Sequence, residues 1–107
     1  MKIYDCITFY NANLLFNLRF NVLKDFVDYF VVCEANKTHA GNYKDYNFDK
    51  KFLEKYGDKI IYIKVDDLPE IEIKGKKDYQ LLKIQMERLF QGITKAEPDD
   101  LIIFSDE

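Results

Sequence analysis

The chain contains no tryptophan, a single histidine, two cysteines, two prolines and four glycines in 107 residues. Each shortage removes a class of explanation. His39 has no Ser, Cys or second His at motif spacing, so no nucleophile–base pair can be assembled around it and it reads as a surface residue. The glycines form neither a Gly-x-Gly-x-x-Gly turn nor a Walker-type loop, which disfavours dinucleotide and P-loop chemistry. Cys6 and Cys33 lie inside apolar runs and lack metal-ligand spacing. Neighbouring strands could bring them together as one disulfide, but two reduced core thiols are the expectation. Positive charge is also scarce: 16 Lys and Arg face 19 Asp and Glu, for a net charge of -3. That gives no basic footprint for nucleic acid, and Lys74-Gly75-Lys76-Lys77 reads as a solvated loop. No apolar run approaches the roughly 18–20 residues of a membrane span. Met1-Lys2-Ile3-Tyr4-Asp5 reads as strand rather than as a secretory leader, so a soluble, cytoplasmic chain is expected.

What is present is a folding composition, 48% hydrophobic and 33% charged, with 8 Tyr and 9 Phe. The length suits one domain with one core. Lys2 to Thr8 reads as a strand, with Ile3, Tyr4, Cys6 and Ile7 as its β-compatible residues. Asn13 is placed to cap a helix from Leu14 to about Lys24, whose ridge would be Leu14, Leu15, Leu18, Val22 and Phe26, with Arg19 in its middle. Val27 to Ala35 reads as a second strand, completing a unit of βαβ size. After a polar loop with a Gly41-Asn42 turn signal, Phe48 to Tyr56 reads as a short helix that Gly57 ends. Lys59 to Val65 is a third strand, closed by Asp66-Asp67-Leu68-Pro69. Residues 70 to 77 read as loop. Asp78 to about Thr94 has helical spacing in Leu81, Leu82, Met86, Leu89, Phe90 and Ile93. The alternation β-α-β-α-β-α-β predicts an α/β fold with a doubly wound, mostly parallel sheet.

The last stretch, Pro98 to Glu107, runs from a turn through Leu101-Ile102-Ile103-Phe104 to Ser105-Asp106-Glu107. A short continuous apolar run predicts a strand buried on both faces in the middle of the sheet. Ligands of open α/β sheets bind beyond the carboxyl ends of the strands. Asp106 and Glu107 would stand there, either as oxygen ligands for Mg²⁺ or Mn²⁺ or as a solvated acidic end. Glu34 and Asn36 end the second strand on the same rim, where Glu34 could accept from ribose or base, or cap nearby backbone. Phe9, Tyr10 and Asn11 end the first strand, as a stacking wall for a nucleobase or as core edge. Asp66-Asp67 ends the third. Gln85, on the last helix, could turn towards the same crevice.

Four stretches together resemble glycosyltransferase family 17: Ile3 to Asn11, Asp28 to Thr38, Asp58 to Pro69, and Pro98 to Glu107. This is the family of the β-1,4-mannosyl-glycoprotein 4-β-N-acetylglucosaminyltransferase that adds bisecting GlcNAc. The resemblance implies a glycosyltransferase-A type fold, of which residues 1–107 would be the N-terminal, nucleotide-sugar-binding part, cut at the metal-binding motif. It implies transfer of a sugar from a UDP-sugar to a glycan acceptor with Mn²⁺ or Mg²⁺. The family's strand ends in Ser-Asp-x-Asp-Glu; Ser105 and Asp106 match its first two positions and Glu107 takes the variable one. By resemblance, Asp106 binds the cation, Phe9 and Tyr10 flank the uracil, and Glu34 contacts ribose or base. Thr8, Asn36 and Gln85 complete the nucleotide-sugar set. The chain departs from the family at Met86 and Glu87, where the usual Gln-Arg-Asn keeps only its Gln, as Gln85, and at Ala12 and Asn17, where acids often flank the first helix. A second reading is a non-catalytic α/β binding or interaction module. On that reading a sheet left partly uncovered should self-associate or need a partner.

Overall fold

The computed structural model describes residues 1–38, 42–68 and 80–106, without the side chains of residues 80, 82 and 106. His39, Gly41, the basic loop, the start of the last helix and Glu107 lie outside the described residues.

The elements alternate as expected: β1 (Ile3–Phe9), α1 (Asn13–Leu23), β2 (Tyr29–Ala35), α2 (Lys50–Tyr56), β3 (Ile60–Val65), α3 (Gln80–Arg88) and β4 (Leu101–Asp106). The four strands form one parallel sheet in the order β3-β2-β1-β4. β1 and β2 are its central pair and are buried almost end to end, which is why their sequences run apolar instead of alternating. Ile7, Phe9, Phe30 and Val32 meet α1 and α2 on one face, whereas Tyr4, Cys6, Val31 and Cys33 meet α3 on the other. The fold is therefore doubly wound α/β. Both cysteines are free and buried.

Two aspartates fix where the strands begin. Asp100 Oδ1 accepts from Lys2 N at 2.8 Å and Asp28 Oδ2 from Ile3 N at 2.8 Å. These bonds satisfy the amides just before and at the start of β1 and tether the segments that lead into β4 and β2. Gly57 ends α2 at φ 59°, a backbone conformation that residues with a side chain rarely adopt. Residues 89–93 continue α3 as a tight 3-10 turn rather than the α-helix expected to Thr94. Gly92 sits there against Val31 and Ile63, so closely that a β-carbon would overlap Val31 Cγ1.

Three expectations are corrected. The ridge expected of α1 does not face the core: Leu14, Leu15, Leu18, Val22 and Phe26 are 60–83% exposed, and Phe16 and Phe20 are buried in their place. The rings decide the rotation. Phe20 stacks on Tyr56 at 3.7 Å between centroids, and Phe16 packs edge-on to Phe48 at 5.0 Å and Phe30 at 6.2 Å. Asn13 does not cap α1, because its side chain crosses to the segment before α2, accepting from Asp49 N and donating to Asn47 O. The α2 cap is Asp49, whose Oδ1 accepts from Lys51 N at 2.9 Å, and Phe48 packs into the core ahead of the helix. Finally, β4 is not buried on both faces: Leu101, Ile103 and Phe104 are 47%, 38% and 41% exposed, and among the described residues it lies at the edge of the sheet. Only β1 pairs with it among the described residues, and a run of apolar residues cannot by itself say how many neighbours a strand has.

Candidate functional site at the carboxyl rim

The chain steps outward from β1 to β2 and β3, then returns to the far side of β1 for β4. The order reverses between β1 and β4, and the crevice beyond their carboxyl ends is where ligands of such sheets sit. Thr8 lies in register with Cys33 of β2 and with Asp106 of β4, so the first, second and last strands deliver their ends to one rim. The sequence candidates Thr8, Phe9, Tyr10, Glu34, Asn36 and Asp106 all belong to strands or turns that end there.

Their side chains differ in what they can do. Tyr10 is half exposed, with the Lys44 ammonium 5.6 Å from its ring centroid. It presents a half-exposed ring beside a cation. Phe9 is 3% exposed and meets Phe48 edge-on at 5.2 Å, so its ring belongs to the core. Thr8 is buried just below the rim. Asn36 Oδ1 is buried and has no hydrogen-bond partner, the only such side-chain atom among the described residues. Native interiors rarely leave an acceptor in that state. Gln85 is 2% exposed and sits deeper, its Nε2 donating to Cys33 O at 2.9 Å, which ties α3 to β2.

Glu34 is the hub under the rim. Completely buried, it accepts from Lys44 Nζ at 2.8 Å and Asn47 N at 2.6 Å through Oε2, and from Phe48 N at 3.0 Å and Tyr62 Oη at 2.7 Å through Oε1. A carboxylate with four donors has little lone-pair capacity left for a ligand. Its chemistry here is to hold residues 44–48 against β2, the backbone-capping role that the sequence left open. Lys44 also donates to Ala35 O and Asp45 O, and Asn47 Nδ2 reaches Tyr10 O at 2.9 Å. Burial, reinforced by the bond to Glu34, pushes the Tyr62 phenol well above its usual range. Burial likewise raises Tyr46, whose ring lies 5.1 Å from Lys64 Nζ.

Sequence reasoning passed over a second polar cluster. Asp5, 1% exposed in the middle of β1, takes both arms of the Arg19 guanidinium at 2.5 Å, and Arg19 Nη2 also donates to Ser105 Oγ at 2.8 Å. Hydrogen bonding to Asp5 raises Arg19 above its usual value. The available signal was an acid inside an apolar strand, which needs a cationic partner when buried. Asp67, at the end of β3, pairs with Arg88 at 3.1 Å on the surface.

A metal centre is not assembled by the described residues, since no three His, Cys, Asp or Glu side chains among them are placed to share an ion. Among the described residues no helix is long and apolar enough to cross a membrane.

No curated protein matches the chain, and no solved structure does. The model of Glycosyltransferase family 17 matches residues 1–107. The stretches that carry the resemblance are those whose strands the sheet aligns at this rim, and over its whole length the chain belongs to glycosyltransferase family 17.

Proposed function

We propose that the carboxyl rim of β1, β2 and β4 binds the nucleotide of a UDP-sugar, and that the chain serves transfer of that sugar, N-acetylglucosamine by resemblance, to a glycan acceptor in a glycosyltransferase-A type domain. The observation that carries the reading is the switch point between β1 and β4, with Tyr10 half exposed and Asp106 in register with Thr8. Tyr10 supplies a stacking face for the uracil. Asn36 Oδ1, buried and unpaired, is an acceptor suited to a ribose hydroxyl or base N–H once the rim adjusts around a ligand. Thr8 and the β1 backbone line the floor. Phe9, Glu34 and Gln85 shape the rim from beneath. In the transfer, the bond from the sugar's anomeric carbon to the diphosphate oxygen breaks and its electron pair leaves with UDP. An acceptor hydroxyl oxygen forms the new bond, and its proton passes to a base or to water. The cation expected from the family is Mn²⁺ or Mg²⁺, for which Asp106 is this chain's contribution.

The test is calorimetric titration of the 107-residue chain with UDP and with UDP-N-acetylglucosamine, each with and without Mn²⁺. Saturable binding that weakens in Tyr10→Ala supports the reading. A chain that binds neither nucleotide with Mn²⁺ present is a non-catalytic module. The exposed apolar residues of β4 and of the α1 flank also support self-association; a concentration-independent monomer in sedimentation velocity rules that out.

A further inference from the structure

We propose that Arg19 is a positioning residue for the donor site: anchored by Asp5, its guanidinium holds Ser105 and thereby fastens the carboxyl end of β4 to β1. The inference rests on the reading that this rim binds the donor nucleotide. Three observations carry it. Asp5 is 1% exposed and is bound by two arms of Arg19, so the guanidinium has a fixed plane rather than a mobile surface position. A third bond, Nη2 to Ser105 Oγ at 2.8 Å, is directed from α1 across to β4. Among the described residues β1 is the one strand paired with β4, whose Leu101, Ile103 and Phe104 are 38–47% exposed, so side-chain packing contributes little to holding its end in place. The end of a thinly packed strand frays unless something ties it, and Ser105 is next to Asp106, which stands opposite Thr8 at the rim. The hydroxyl clamp is that tie.

The experiment uses the whole chain as native, Ser105→Ala, Ser105→Thr and Arg19→Gln, with amide hydrogen exchange and calorimetric UDP binding as paired readouts. Ser105→Ala leaves the Asp5–Arg19 pair intact, so it separates positioning from folding if Arg19→Gln fails to fold. The expected result in Ser105→Ala is exchange about tenfold faster at the amides of 104–106 and not elsewhere, with UDP affinity about tenfold weaker, the scale of one hydrogen bond to a charged group. Ser105→Thr, which keeps a hydroxyl, restores both. Unchanged exchange at 104–106 in Ser105→Ala overturns the clamp. Faster exchange with unchanged UDP affinity overturns the positioning role. If the native chain binds no UDP, the proposed function fails and the positioning role with it, while the exchange data still decide the clamp itself.

Discussion

Glu34 is the residue whose replacement separates a structural acid from a ligand-binding one. In Glu34→Ala, the Lys44 side chain, 9% exposed, loses its only counter-ion among the described residues, and the amides of Asn47 and Phe48 and the Tyr62 hydroxyl lose their acceptor. Removing one partner of a buried ion pair costs roughly 3–5 kcal/mol. Each further unmet donor would add about 1–3 kcal/mol if nothing relaxed, but water entering the emptied space and movement of residues 44–48 offset much of that. The expected loss is therefore about 4 kcal/mol, against the roughly 5–15 kcal/mol that holds a domain of this size together.

Glu34→Gln keeps the shape and one acceptor oxygen but turns an NH₂ towards donors, so about 2–3 kcal/mol is expected. Replacing Lys44 by Met in the Glu34→Gln background removes an ammonium that has lost its counter-ion, and should recover about 1 kcal/mol as a favourable coupling. Urea unfolding followed by far-ultraviolet circular dichroism measures all of these, provided the slope of the transition stays constant. A Glu34→Gln chain as stable as the native one, with UDP binding abolished, would refute the argument and make Glu34 a ligand residue.

Four further outcomes follow from single features. Gly92→Ala should lower stability by about 1–3 kcal/mol, because a methyl overlaps Val31 Cγ1 and the 3-10 turn must lift off the sheet; a shift in the urea midpoint of the opposite sign would refute this. The Cys6 and Cys33 thiols are pushed by burial from 9.0 up to about 12, so neither should react with iodoacetamide at pH 8 until the chain is unfolded, as mass spectrometry would show. The same shifts carry a stability effect with a definite sign. The unfolded chain releases thiol protons above about pH 9 while the folded chain keeps them, so stability is full below pH 9 and falls as pH rises towards 12. Replacing both cysteines by Ala should flatten that part of the pH profile. Phe20→Ala should cost about 3–5 kcal/mol through the cavity left between Phe30 and Tyr56, measured in the same urea assay.

The fold was legible because its signals are local and repeated. Apolar runs bounded by turns marked all four strands, and their alternation with helical spacing required parallel pairing through crossovers. Local signals fail where two elements compete for the same surface. Leu14, Leu15, Leu18 and Val22 make an acceptable ridge along α1, yet Phe16 and Phe20 bury larger rings against Phe30, Phe48 and Tyr56 and rotate the helix. Nothing in the helix's own spacing shows that preference, because the partners come from β2 and α2. Arg19 then reinforces the choice: on the rotated helix it reaches Asp5, and on the expected one the acid in β1 would have been buried without a cation. The candidate site divides along the same line. That Thr8, Tyr10, Asn36 and Asp106 come from elements ending at one rim follows from topology, which the sequence does encode. That Glu34 is spent on Lys44, Asn47, Phe48 and Tyr62 depends on a loop and a third strand closing over it. A buried acid in an apolar strand, as at Asp5 and Glu34, is therefore a stronger pointer to a missing partner than to a ligand, and the partner is the residue to look for first.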